Sequence, residues 1–350
     1  MKTSFTRLTD ILNHGFDTII DVRSPAEFAE DHVPGAINLP ALSDKERARV
    51  GMIYVQEAPF RARKIGAALV ARNVAEHLDG PLKDIEGSWR PLVYCWRGGQ
   101  RSGSFASILS QIGWRSKVIE GGYQSYRNLV HDVLYKEVVP YKLILLDGNT
   151  GTAKTDILHR LRELDVQVLD LEGLANHRGS LLGSMAGGQP AQKGFETALA
   201  CALAQMDPTR PIIVEAESSK VGERVVPPTL WAAMKVASRI EIDAPLDARA
   251  QYLADAYLDI SSDAAGLTAK LEILRRHRGG LVDGWLALLR AGEFQALARV
   301  LMDEHYDPTY RLGRTRHGAN VLQKFSVSNL GINARADLAL RIAAWVKTIS

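Results

Sequence analysis

The apolar run Tyr141 to Leu146 ends in Asp147 and opens directly onto Gly148-Asn149-Thr150-Gly151-Thr152-Ala153-Lys154-Thr155. Beyond it Ile157, Leu158 and Leu161 fall at helical spacing. A strand, a glycine-containing loop and an amphipathic helix in that order constrain the fold to a βα unit, because loop amides and the helix N-terminus then converge on one point. Consecutive backbone amides suit a diphosphate, the Lys154 ammonium would neutralise it, and the Thr155 hydroxyl would hold a magnesium ion. One position departs from the usual pattern. The second glycine is Ala153, whose methyl group restricts the loop, so ordinary ATP turnover does not follow from the motif alone.

Strand-like runs at Val166 to Leu169, Ile212 to Val214 and Arg239 to Ile242 would extend this unit into a parallel sheet. Ala248 to Arg299 is rich in Ala, Leu and Arg at helical spacing, which predicts a mainly helical portion over about 248–310. The run Ile212-Ile213-Val214 leads into Glu215-Ala216-Glu217, where a nucleotide hydrolase would place its magnesium-binding carboxylate; Glu215 or Glu217 suits that part, and a salt-bridged pair is the alternative. Between the loop and this strand lie Asp170 to Ser180 and Gly187 to Lys193, polar, glycine-rich and long for a passive connection. They read as a substrate loop with His177 and Arg178 as anion or base contacts, against the plainer reading of a surface turn.

At about 150 residues per domain, 350 residues make two domains. The first has its own α/β pattern: Thr18 to Val22 and Pro91 to Tyr94 are strand-like, and Ser24 with Pro25 and Glu27 forms a helix start. Directly after the second strand comes Cys95-Trp96-Arg97-Gly98-Gly99-Gln100-Arg101-Ser102, then a helix. A thiol there meets the helix dipole, glycine-loop amides and the two arginines Arg97 and Arg101, all of which favour the thiolate and hence a nucleophile or chalcogen carrier. Cys201 lies among Ala and Leu at helical spacing and reads as core. The expected domains are 1–136 and 140–350, with Val138-Val139-Pro140 as linker.

Hydrophobic residues at 46% and charged residues at 24% argue against disorder and fibrous folds. No apolar run approaches a bilayer span, and the opening stretch lacks a signal-peptide core, so a cytoplasmic location without membrane insertion is expected. Two cysteines make no disulfide framework. The net charge of +3 says little, but residues 58–75 and 308–324 are basic and acid-free. Arg61, Arg63, Arg311, Arg314, Arg316 and Lys324 are therefore candidate phosphate contacts for a nucleic acid, or else solvated faces.

Asp21-Val22-Arg23 with Glu27-Phe28, His32 to Asn38, the Cys95 loop and Glu120-Gly121-Gly122-Tyr123 together resemble the rhodanese family. The resemblance implies a rhodanese-like domain in which Cys95 carries sulfur or selenium, its adduct held by loop amides. A rhodanese domain ahead of a P-loop parallel-sheet domain, with Asp170-Leu171-Glu172-Gly173 and His177-Arg178-Gly179-Ser180, resembles the tRNA 2-selenouridine synthase family. That likeness implies prenylation of wobble 2-thiouridine by geranyl diphosphate, then replacement of the S-geranyl group by selenium from selenophosphate. Its partners would be the tRNA anticodon arm and a selenophosphate-producing enzyme, with no permanent cofactor. A rhodanese-type sulfurtransferase fused to a nucleotide-dependent kinase or ATPase is the competing enzyme reading, and a tRNA-binding adaptor the non-enzymatic one.

Overall fold

The structure is a computed structural model, described for residues 2–136, 139–179, 183–256, 264–308 and 320–349. The chain divides into two compact units, residues 1–137 with 190–205, and residues 138–189 with 206–350. None of the described helices is long and apolar enough to cross a membrane.

The first unit runs β1 (Lys2–Thr3), α1 (Leu8–Leu12), β2 (Thr18–Asp21), α2 (Pro25–Glu30), β3 (Ile37–Asn38), α3 (Asp44–Gln56), α4 (Pro59–Asp79), β4 (Pro91–Tyr94), α5 (Gln100–Ile112), β5 (Lys117–Ile119) and α6 (Gly122–His131). Its sheet has the order β1-β5-β4-β2-β3 and every pairing is parallel. Ile19, Ile20, Leu92 and Val93 are all fully buried, as befits central strands covered on both faces. At the start of α2 the Glu27 carboxylate accepts hydrogen bonds from the Ser24 amide and hydroxyl at 3.2 and 3.3 Å.

Under the strand ends lies a buried ion pair. Arg23 Nη2 is 2.6 Å from Asp21 Oδ2, the same nitrogen donates to the Asp31 carbonyl at 2.6 Å, and the guanidinium sits 3.9 Å over the Tyr123 ring. This binds the end of β2 to α6.

The second unit begins with β6 (Leu143–Gly148), α7 (Lys154–Glu163), β7 (Gln167–Leu169) and α8 (Leu171–Ala175). The chain then supplies α9 (Gln192–Ala204) to the first unit and returns as β8 (Ile212–Glu215), a hairpin of β9 (Lys220–Val221) and β10 (Arg224–Val225), α10 (Pro228–Val236), β11 (Ser238–Asp243) and α11 (Leu246–Ala256). Helices Ala264–Ile273, Arg275–Arg278, Leu281–Ala291 and Phe294–Leu301 form the expected helical portion, and they bury Leu267, Leu271, Trp285 and Leu297 together. The sheet is parallel throughout, in the order β12-β11-β6-β8-β7, with β12 spanning Val321–Ser326. From central β6 the chain goes out to edge strand β7 before β8 pairs beside β6, so the crevice at the β6 carboxyl end is where such sheets take ligands.

Two features differ from the sequence reading. Strand β12 and the closing helix Ile332–Thr348 are not anticipated by it, because β12 is an edge strand with Phe325 its only buried residue and shows no apolar run. The assignment of all of 140–350 to the second domain also needs correction at α9. In that helix Thr197 Oγ1 donates to Asp31 Oδ2 at 3.0 Å, beside the Tyr123 hydroxyl on the same oxygen at 2.6 Å. Glu196 takes a hydrogen bond from Tyr135 at 2.8 Å and pairs with Arg127. Cys201 is half-buried beside Tyr126, and burial pushes its thiol up to about 11.

Replacing Arg23 by Ala leaves the Asp21 carboxylate buried without its partner and should cost about 3–5 kcal/mol, read as a lower urea midpoint. An Asp21→Ala, Arg23→Met double variant should recover part of that loss.

Candidate functional sites

In the first unit, β4 delivers Cys95 into a loop that is shaped by a second loop pressed against it. The amides of Tyr123 and Gln124, in the first turn of α6, donate to the carbonyls of Cys95 and Trp96 at 2.8 and 3.0 Å. Gly98 and Gly122 both have left-handed backbones, and a Cβ on Gly122 would stand 2.2 Å from the Cys95 carbonyl oxygen. Only glycine permits that approach. Cys95 is 3% exposed; the Gly99 amide donates to its sulfur at 3.3 Å, and Ser102 Oγ lies 3.1 Å away. Arg97 is exposed and donates to Gln124 Oε1 at 3.1 Å, while Arg101 donates to Glu27 at 2.9 Å. The thiol's immediate partners are thus Gly99 and Ser102, with the two arginines at the loop's margin.

In the second unit, Gly148 to Thr155 turns from β6 into α7. Gly151 has φ +83° and Ala153 φ +60°, so the residue standing where glycine is usual adopts a backbone that disfavours a side chain. Thr152 closes the turn by donating through its hydroxyl to the Asn149 carbonyl at 2.8 Å, and Lys154 Nζ donates to the Gly148 carbonyl at 2.9 Å. Arg249, buried and paired with Asp307 at 2.8 Å, donates to the Thr150 carbonyl at 3.0 Å and braces the loop from α11.

The loop forms one side of a cleft of about 570 Å³. Thr150 to Asp156 line it together with Glu172, His177, Arg178 and Glu217, and its other walls include Met185, Tyr252, Leu253, Ala256 and Tyr306. His177 accepts the Gly179 amide at 3.1 Å on Nδ1, and burial lowers its pKa below the ordinary imidazole value. Of the two expected strand-end carboxylates, Glu217 lines the cleft; Glu215 is 1% exposed and instead accepts the Glu172 amide at 3.1 Å. Thr155 Oγ1 donates to Glu172 Oε2 at 2.8 Å. Burial, then the neighbouring Glu217 carboxylate, pushes Glu172 up to about 8.

In the sequence Glu172 reads only as part of a loop, and its role is set by a fold that brings α8 against Thr155. Sequence reasoning also misses His159; it follows Thr155 by four residues on α7, a helical-face relation visible in the sequence, and its Nε2 lies 2.9 Å from Asp170 Oδ2. Among the basic candidates, Arg61 pairs with Glu57 and Lys324 with Asp243 at 3.0 Å, while Arg311, Arg314 and Arg316 lie outside the described residues.

The profile of the tRNA 2-selenouridine synthase AAA domain matches residues 141–275, and that of the rhodanese-like domain matches residues 4–129. The tRNA 2-selenouridine synthase of Nitrosomonas europaea is 33% identical over 304 residues, covering 82% of this chain and 77% of that protein. Those of Shewanella loihica and Alcanivorax borkumensis are each 31% identical, covering 84% and 87% of this chain and 86% and 91% of theirs. The chain belongs to the tRNA 2-selenouridine synthase family. In this member of that family of tRNA-modifying enzymes, the two profile matches coincide with the two loops described above.

Ala153→Gly should relieve a left-handed penalty of about 1–2 kcal/mol and lose about 0.4–1 kcal/mol to unfolded-chain entropy. The expected net gain lies between about 0 and 1.6 kcal/mol, seen as a higher urea midpoint at unchanged slope. For Glu172 the folded pKa of about 8 lies above the ordinary carboxylate value of 4.5. Its contribution is complete below the unfolded pKa and is lost as pH rises through about 8. Stability measured from pH 5 to 9 should fall across this window in the wild type and fall less in Glu172→Gln.

Proposed function

We propose that the protein replaces the 2-sulfur of wobble 2-thiouridine in tRNA by selenium, in two reactions served by the two loops. In the first, the thiouridine sulfur attacks C1 of geranyl diphosphate, the carbon–oxygen bond breaks and diphosphate leaves into the Gly148–Thr155 loop. In the second, the selenium of selenophosphate attacks C2 of the S-geranylated uridine, the C2–S bond breaks to release geranylthiol, and water cleaves the selenium–phosphorus bond to release phosphate, with Cys95 as the thiol of the site that serves this step. Family membership supports tRNA selenouridine modification. The finer reading rests chiefly on the cleft, which sets a diphosphate-sized amide loop beside the apolar side chains of Met185, Leu253 and Ala256.

Roles follow from position. Lys154 would exchange its hold on the Gly148 carbonyl for the diphosphate, and His177 and Arg178 reach the same cleft. At the Cys95 loop, the Gly99 amide stabilises negative charge on sulfur or selenium. Arg97 and Arg101 would draw in the phosphate of the selenium donor, which a selenophosphate-producing enzyme supplies. Magnesium fits the oxygen-rich side of the cleft, where Thr155 adjoins Glu172 and Glu217 lines the wall. Among the described residues no group of three or more His, Cys, Asp or Glu is placed to hold a metal ion by itself. Such an ion would neutralise charge on the leaving diphosphate.

Cys95→Ser should abolish selenation by selenophosphate while leaving the fold and tRNA binding intact, since an alcohol is far less acidic than a thiol. Full selenation by that variant, followed by mass spectrometry of tRNA nucleosides, would remove Cys95 from the mechanism. Lys154→Ala should remove a charge-assisted hydrogen bond of about 1.5–3 kcal/mol, roughly ten- to a hundredfold in S-geranyl-2-thiouridine formation, yet still selenate pre-geranylated tRNA. ATP hydrolysis stimulated by tRNA would favour the fused sulfurtransferase and ATPase instead.

A further inference from the structure

Between β3 and β4 the chain leaves the first sheet for the paired helices α3 and α4, and their joined ends carry a distinctive surface. From Gly51 to Arg61 every residue except Ile53 is exposed. Four large apolar side chains lie in this short stretch: Met52 and Tyr54 are 54% exposed, Phe60 74% and Val55 84%. The surroundings are basic. From Arg47 to Ala75 the cations Arg47, Arg49, Arg61, Arg63, Lys64 and Arg72 face one acid, Glu57. Arg47 pairs with Glu27 and Arg61 with Glu57, whereas Arg49, Arg63 and Lys64 have no ion-pair or hydrogen-bond partner among the described residues.

Phe60, Arg63 and Lys64 stand at i, i+3 and i+4 and so share one stripe of α4. An exposed ring flanked by unpaired cations is what holds unpaired nucleotides: bases stack on the ring and phosphates meet the cations. The hairpin is also rooted beside the thiol loop. Glu27 accepts from Arg47 on α3 at 2.8 Å and from Arg101 on α5 at 2.9 Å. Asn73 and His77 fasten α4 to the carbonyls of Ala41 and Pro40, each at 3.0 Å. From Arg47 to Gln56 the helix extends about 14 Å, so a strand gripped at the tip lies a short way from Glu27.

We infer that the α3–α4 tip is an RNA-docking surface for unpaired nucleotides of the tRNA anticodon arm, with Phe60 and Tyr54 stacking on bases and Arg63 and Lys64 holding phosphates. This rests on the tRNA reading above and adds where the loop is gripped.

The test uses the full chain with two probes, a stem-loop oligoribonucleotide carrying the anticodon loop and a fully paired RNA duplex of equal length. Wild type should bind the stem-loop more tightly. Phe60→Ala should weaken stem-loop binding roughly five- to a hundredfold and leave the duplex unaffected; Phe60→Trp should restore the wild-type value and Phe60→Leu should not. Arg63→Ala with Lys64→Ala should weaken both probes and lower the log–log salt slope by about 0.7–0.9 for each phosphate that is no longer neutralised. Because Phe60 is exposed, the melting temperature should not move. The inference fails if Phe60→Leu binds the stem-loop like wild type, or if Phe60→Ala weakens both RNAs equally. It also fails if Phe60→Ala abolishes binding to phosphatidylglycerol vesicles while RNA binding is unchanged, which would assign the tip to an anionic membrane. A wild type that binds neither RNA would overturn the tRNA reading itself.

Discussion

Both sites depend on backbone lying directly against backbone. In the first unit Gly122 presses on the Cys95 carbonyl so closely that a Cβ has no room, and in the second a Cβ on Gly151 would stand 3.0 Å from the Arg249 carbonyl. Such close approaches fix a loop far more tightly than flexible side chains would, because neither partner has a rotamer to yield. Amides held this way keep their direction when charge develops beside them, which is what an anionic adduct or a leaving diphosphate requires.

Charge at the two loops is arranged differently. Around the thiol the carboxylate Glu27 is already engaged by two arginines, and the sulfur meets an amide and a hydroxyl. Around the phosphate loop Glu172, Glu215 and Glu217 crowd together, and burial pushes the Glu172 and Glu215 carboxyls above their ordinary range. An anion entering that cleft meets Lys154 and Arg178 without the full repulsion of three ionised carboxylates.

Much of the fold is legible in the sequence because central parallel strands are continuous apolar runs and each chemical loop follows one immediately. Cys95 and Gly148 to Thr155 therefore declare themselves by position. What escapes is set by distant partners. Nothing local in Val321 to Ser326 marks an edge strand, and the amphipathic pattern of α9 shows a buried face without naming the unit that buries it. Ala153 is legible as a departure from pattern, but its left-handed backbone is not, since the sequence shows which residue is present and not the angle it adopts. Glu172 belongs with Thr155 only once α8 is folded back.

The path of α9 bears on how such a protein is inherited. Because residues 190–205 belong with residues 1–137, the chain passes between the units three times, at 137/138, 189/190 and 205/206. No single break in the gene yields two complete halves. A split after the first sheet would strip Asp31 of its Thr197 partner and Tyr135 of Glu196, leaving polar groups that the fold keeps dry facing solvent. Interleaving of this kind resists fission and shuffling, so the two units would be gained or lost together.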